Sequence, residues 1–194
     1  MNFLRNIYNW TLKKAEHKNA KWYLSLISFA ESSFFPIPPD ILLIPMALAS
    51  KAKALFYAFI CTIFSVLGGI LGYAIGYFFY NSVGIFIVEF YHLENSFSVF
   101  ENYYKEFGIL IVLGAGITPF PYKFITIASG VFGLNIFLFI IVSIIGRGLR
   151  FYLIAILLYF FGEKIKLIID KYFNFLTIVF FILLIGSVFI IRFL

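Results

Sequence analysis

Residues 29–49 read FAESSFFPIPPDILLIPMALA, and they pose one question: does so apolar a segment cross a membrane, or turn back inside it? Pro36-Ile37-Pro38, with Pro39 next, stops a helix. Proline lacks a backbone donor, clashes with the preceding turn and pushes the residue before it out of helical conformation. The uncharged arms on either side, Trp22–Ala30 and Ile41–Ser50, are nine and ten residues long. At 1.5 Å per residue neither spans a hydrocarbon core of about 30 Å. Lys51 and Lys53 follow, as basic as the start of the chain. The positive-inside tendency returns them to the side where the segment began. Residues 22–50 are therefore predicted to form a re-entrant hairpin.

Composition supplies the membrane. The 194 residues are 63% hydrophobic and only 12% charged, roughly half the charged fraction of a soluble domain. Uncharged runs cover residues 54–88, 124–146 and 172–191, each close to or beyond the roughly 20 residues that span a bilayer. Residues 1–21 hold Arg5, Lys13, Lys14, Lys18 and Lys21 against Glu16, with Phe3, Leu4, Ile7, Tyr8, Trp10 and Leu12 interleaved. This pattern suits a basic amphipathic helix on an anionic cytoplasmic surface. A cleaved signal peptide is disfavoured, because the apolar stretch after it is short and Glu31 and the prolines follow at once. The net charge of +6 flanks apolar spans, so lipid headgroups account for it better than nucleic acid does.

All six prolines fall in two clusters, Pro36, Pro38, Pro39 and Pro45, then Pro119 and Pro121. The second Pro-x-Pro, Pro119-Phe120-Pro121, predicts a second hairpin over residues 107–133, entering from outside. Alternation then gives one membrane domain over 1–194: interfacial segment 1–21, hairpin 22–50, and transmembrane helix 54–80. An exterior loop bearing Glu89, Glu94, Glu101 and Glu106 leads to hairpin 107–133, then transmembrane helices 135–161 and 172–191. Every lysine cluster lands on the cytoplasmic side. Gly68, Gly72 and Gly76 lie four apart in the first span, and Gly146 and Gly148 in the second, where small residues let helices approach closely. The expected fold is all-α and integral to the cytoplasmic (inner) membrane. In it, two re-entrant hairpins of opposite orientation are each followed by a transmembrane helix, an inverted repeat of the kind that places a substrate site near the midplane. A C-terminal transmembrane helix and the N-terminal amphipathic helix complete it.

Five ionisable residues are embedded in this apolar sequence: Glu31, Asp40, Lys123, Arg147 and Arg150. One charge near the bilayer centre costs at least ~2.5 kcal/mol, so five unmatched would cost more than ~12 kcal/mol, a whole domain's stability. They must pair or face a hydrated cavity. Asp40 lies four residues after Pro36 and Lys123 four after Pro119, so the hairpin tips carry opposite signs at matching places. Arg147 and Arg150 share a helix face and suit bidentate phosphate binding. A substrate role and a bridge to a hairpin carboxylate weigh equally for each arginine, with Asp40 and Arg147 taken as the pair to test. The single cysteine, Cys61, excludes an internal disulfide. His17 and His92 lack ligand-like spacing, and no metal site, cofactor motif or Gly-rich phosphate loop is present.

At these residues the chain resembles the DedA/VTT superfamily, most closely its YqaA-like branch. The stretches that carry the resemblance are Phe29–Ala49, TPFPYKFITIASGVFGLNIF (Thr118–Phe137) and GRGLRFYLIA (Gly146–Ala155). The resemblance implies opposed re-entrant hairpins and movement of phospholipids or a polyprenyl-phosphate carrier, in some members dependent on proton-motive force. The hairpin carboxylates would correspond to Glu31 and Asp40. Where that family carries arginines around the second hairpin's proline, this chain has Gly116 and Tyr122, with Lys123 beside it, and Arg147 and Arg150 are placed to supply the charge. The expected function is a lipid translocase acting on an anionic headgroup, compatible with proton coupling and with an oligomer. The alternative is a proton- or ion-coupled secondary transporter of a small solute. A membrane enzyme ranks last, for want of a nucleophile or metal cluster.

Overall fold

The computed structural model describes residues 19–35, 37–90, 92, 94–162 and 164. Among them the secondary structure is helical throughout, with no strand. The basic segment 1–18, Pro36 and the stretch 172–191 lie outside the described residues. Helix α1 (Ala20–Glu31) and helix α2 (Asp40–Ala49) flank the first proline cluster, and a 3₁₀ turn, Lys51–Lys53, leads into α3 (Ala54–Phe79). A π-turn at Tyr80–Gly84 continues it into α4 (Ile85–Phe90). Helix α5 (Glu94–Ile117), α6 (Tyr122–Val131) and α7 (Ile136–Gly162) complete the described chain. The stretches read as spans over 54–80 and 135–161 are helices long and apolar enough to cross a membrane by length and composition.

Local chemistry sets each boundary. The amides of Ser33, Phe34 and Phe35 all fold back on the Ala30 carbonyl, closing α1 before the prolines. Pro39 stands at the N-cap of α2, and Pro121, in extended conformation, stands at that of α6. Helix α6 ends on Gly133 at φ +63°, with the Leu134 amide on the Ser129 carbonyl and the Gly133 amide on that of Gly130. This reversal needs a left-handed residue, which glycine supplies without strain. Asn135 then caps α7, its Oδ1 accepting from the amides of Phe137 and Leu138 at 3.0 and 3.2 Å.

Helix α3 is the axis. A Cβ on Gly68 would collide with the backbone of Phe29 in α1, and one on Gly76 with the backbone of Ile127 in α6. One on Gly72 would meet Thr126 and the Ser32 carbonyl. Helices α1 and α6 thus run along α3 in its own direction, one against its first half and one against its second. Helix α7 runs antiparallel to α3, since Gly148 lies at Thr62 while Phe139 lies at Gly69. Helix α2 returns toward the start of α3. Leu43, Met46 and Ala47 share a core with Ala54, Ala58, Ala155 and Leu158, and Leu48 faces Gly162. Helix α5 approaches from the other end, with Tyr104 at Ser129, Gly108 at Leu134 and Gly116 at Gly146. Each helix–break–helix unit therefore starts and ends at one end of α3, the two units use opposite ends, and their breaks meet halfway.

Two features depart from the sequence reading. The acidic stretch taken as an exterior loop, with its hairpin arm beginning at 107, is helical from Glu94 onward. Its apolar face was hidden by the glutamates: Phe97 stacks on Tyr80 with centroids 4.8 Å apart and touches Phe132 at 5.2 Å, while Glu101 pairs with Lys105 at 2.7 Å. Gly146 does meet a neighbour, the Gly116 and Leu113 backbone, but Gly148 is not a close-packing position, because a Cβ there would meet only the Thr62 methyl at 3.7 Å. Gly130, against the Tyr73 carbonyl, is the close contact that the sequence reading passed over.

Gly76→Ala should destabilise the fold by about 1–3 kcal/mol through overpacking, whereas Gly148→Ala should be neutral or stabilising, since alanine favours the helix. Thermal unfolding of both variants in detergent checks this contrast.

Candidate functional site

Four of the five embedded charges meet where the two breaks meet. Arg147, near the middle of α7, donates from Nη2 to Glu31 Oε2 at 2.6 Å and from Nε to Ser65 Oγ at 2.5 Å. Ser65 Oγ lies 2.6 Å from Ser32 Oγ, and Ser32 donates to Glu31 Oε2 at 3.1 Å. With Ser65 donating to Ser32, the four side chains form a closed ring of hydrogen bonds. Tyr122 and Phe151 stack over the guanidinium at 4.9 and 4.7 Å, and the Tyr122 hydroxyl lies 2.6 Å from Ser143 Oγ. The Arg147 side chain is 2% exposed and that of Glu31 9%. Ion pair, hydroxyls and ring faces together replace the water lost by both charges, the condition for a buried pair to be tolerated.

One helical turn further along α7, Arg150 makes a second and different pair. Its Nη2 donates to Asp40 Oδ2 at 2.5 Å, and its Nη1 to the Thr118 carbonyl in the second break. The side chains of Arg150 and Asp40 are 15% and 16% exposed. Asp40 Oδ1 and Arg150 Nε, though buried as atoms, have no hydrogen-bond partner among the described residues. The contact is single-pronged, on a residue whose planar fork could give two parallel bonds. Lys123 stands apart from both pairs. Its Nζ lies 3.5 Å from the Phe34 carbonyl and 5.4 Å from the Phe124 ring centroid.

The pairing differs from the one the sequence suggested. Arg147 takes Glu31, and Asp40 goes to Arg150. The cause is spacing: Glu31 ends α1 and Asp40 begins α2, so the break separates the carboxylates along α7 by about the turn that separates the two arginines. The opposite signs at the two tips, Asp40 and Lys123, do not join. The tips are tied by hydroxyls, Thr126 sharing its proton between the Ser32 and Lys123 carbonyls at 2.9 Å each. Ser33 links the Gly68 carbonyl of α3 to the first break at 2.9 Å. Pro38 and Pro39 lie in the first break and Pro119 and Pro121 in the second, with Pro39 and Pro121 at the N-caps of the helices that follow. Ser32, Ser65 and Thr126 were not expected in the site, and Tyr122 only as a departure from the family's arginine. Their signal was hydroxyls on apolar helix faces, where cross-helix hydrogen bonds are the usual reason for them.

A protein of Haemophilus influenzae, described only as uncharacterized, is 38% identical over 164 residues, 84% of this chain and 85% of that protein. The chain belongs to that protein's family. An uncharacterized homologue from Histophilus somni is 32% identical over 167 residues, with 84% of this chain and 85% of the homologue covered. No family model and no solved structure matches the chain.

Removing one partner of a buried pair leaves the other charge unmatched, at a cost of about 3–5 kcal/mol, whereas a partly exposed pair is worth about 1 kcal/mol or less. Glu31→Gln should therefore lower thermal stability in detergent far more than Asp40→Asn. Equal losses would mean that the two pairs do not differ in kind.

Proposed function

We propose that the chain is an integral membrane translocase that moves an anionic lipid headgroup, of a phospholipid or a polyprenyl phosphate, between leaflets. The observation that carries this reading is the position of the charges. Two ion pairs lie midway along the two helices long and apolar enough to span a bilayer, where opposed helix breaks meet. At 1.5 Å per residue α3 and α7 are each about 40 Å long, so a bilayer around them would have this layer near its midplane. Such depth is costly for ionisable groups, and where they occur they mark a transport path or its supports. Backbone interrupted at that level is tolerated only inside protein or beside a wet cavity. Opposed broken helices around a central site are the transporter arrangement in which an inverted repeat moves about a fixed point.

The outer surface supports the bilayer setting. Trp22, Leu26, Leu71, Ile75, Phe137, Ile141, Leu153 and Phe160 are exposed, and in water so many large apolar groups would be an aggregation hazard. On α7 an almost entirely apolar groove of about 480 Å³, lined by Gly148, Leu149, Tyr152, Leu153, Ile156 and Leu157, is open rather than enclosed. An open apolar groove suits a lipid whose tails stay outside, better than a solute carried in an enclosed aqueous site.

In this reading the two breaks are re-entrant hairpins, residues 1–21 lie on the cytoplasmic face, and the chain is multi-pass in the inner membrane. The proposed kinship with DedA/VTT proteins fits the packing at its points of departure. Gly116 lies close against Gly146, where a Cβ would come within 3.1 Å of its backbone, and Tyr122 offers its ring to Arg147. The cations come from α7 instead.

Headgroup-labelled lipid exchange in proteoliposomes tests the reading. Wild type should accelerate exchange of an anionic phospholipid or of polyprenyl phosphate over empty vesicles, and folded Arg150→Ala should lose at least about tenfold of that rate, the worth of one charge-assisted contact. No exchange of any such lipid, with or without a pH gradient, would reject lipid transport in favour of a small-solute carrier.

A further inference from the structure

Within the charged layer the two arginines are built for different work. Resting on the headgroup reading above, we propose that Arg150 alone is the oxyanion-binding cation, and that a phosphate monoester or diester is held there by taking the place of Asp40.

The Nε–Nη2 edge of Arg147 is already taken. Its Nε is held by Ser65 and its Nη2 by Glu31, the Tyr122 and Phe151 rings lie 4.9 and 4.7 Å from the guanidinium carbon, and the side chain is almost fully enclosed. An anion could take that edge only by displacing Glu31 and Ser65 from it. Arg150 is the reverse. Its Nη1 is anchored on the Thr118 carbonyl, which fixes the plane of the guanidinium against the second break. The opposite edge, Nη2 and Nε, meets a carboxylate through Nη2 only, while Nε and Asp40 Oδ1 stay unpartnered among the described residues. Two phosphate oxygens match that edge with two parallel bonds. The exchange therefore replaces one charge-assisted bond by two without moving the anchor. Asp40, on the first turn of α2, is released on the partly exposed side. Lys123 reaches from α6 to the first break and adds positive charge where the breaks adjoin.

The assignment makes Asp40 a competitor of the ligand rather than part of its site. Binding of dodecyl phosphate and of inorganic phosphate to the full-length protein in neutral detergent, followed by the shift of its thermal transition with ligand concentration, tests it. Asp40→Asn should bind dodecyl phosphate about fivefold more tightly, the worth of a partly exposed pair. Arg150→Gln should bind at least about tenfold more weakly. Arg150→Lys, which keeps the charge without the fork, should fall between, and it serves if the glutamine variant does not fold. Unchanged or weaker binding by folded Asp40→Asn, or full binding by folded Arg150→Gln, overturns the proposal. Inorganic phosphate binding as tightly as dodecyl phosphate, with the same response to both variants, keeps the Arg150 site but makes its ligand a free anion, so the headgroup reading would fail and the site would stand.

Discussion

A guanidinium enclosed by apolar helices needs partners in place of water, and the arrangement of this chain follows from supplying them to Arg147. Glu31 has to reach it from the end of α1, Ser65 from the middle of α3, and the Tyr122 and Phe151 rings from α6 and α7. Those groups belong to four helices, so satisfying one charge fixes where all four cross. A purely apolar contact tolerates sliding by a turn. A closed ring of donors and acceptors does not, because a displaced register leaves a charge without partners at a cost comparable to much of a domain's stability.

The glycine stripe of α3 makes this matching sterically feasible. Gly68 and Gly76 bring the backbones of α1 and α6 against the same helix at two levels, and the breaks that end α1 and begin α6 are thereby delivered to one depth. Close backbone approach also shortens the reach required of side chains, so that serine and threonine, with a single rotatable hydroxyl, can link the breaks. The layer is consequently rigid on the Arg147 side. Freedom is left on the Arg150 side, where one anchor is a carbonyl and the other a single carboxylate oxygen. A stiff pair beside a loose one is what a site needs when it must hold its geometry and still exchange a partner.

Much of this was legible in the sequence, for identifiable reasons. Two prolines within three residues end a helix in any setting, and long uncharged runs admit few readings, so both breaks and both long helices were readable. Charges isolated in apolar sequence were bound to pair, and four of the five do. The partners were not readable, because pairing depends on how far each break advances the chain along α7. Lys123, at the matching spacing after Pro119, faces the Phe34 carbonyl and not Asp40. The start of α5 was lost because glutamates on its outer face masked an aromatic face, Phe97 and Tyr104, that packs on Tyr80 and Phe132. Gly148 looked like Gly146 in sequence and differs only in what stands opposite.

The proposed function requires that the two helix–break–helix units each turn back within the membrane, from opposite faces. Its most direct measurement is side-specific labelling of single cysteines by an impermeant maleimide in oriented vesicles, in a Cys61→Ala background. Cysteines at Lys21 and Lys53 should label together from one face, and those at Lys105 and Asn135 together from the other. Labelling of Lys21 and Lys53 positions from opposite faces would mean that residues 20–49 cross the membrane, and the account would fall.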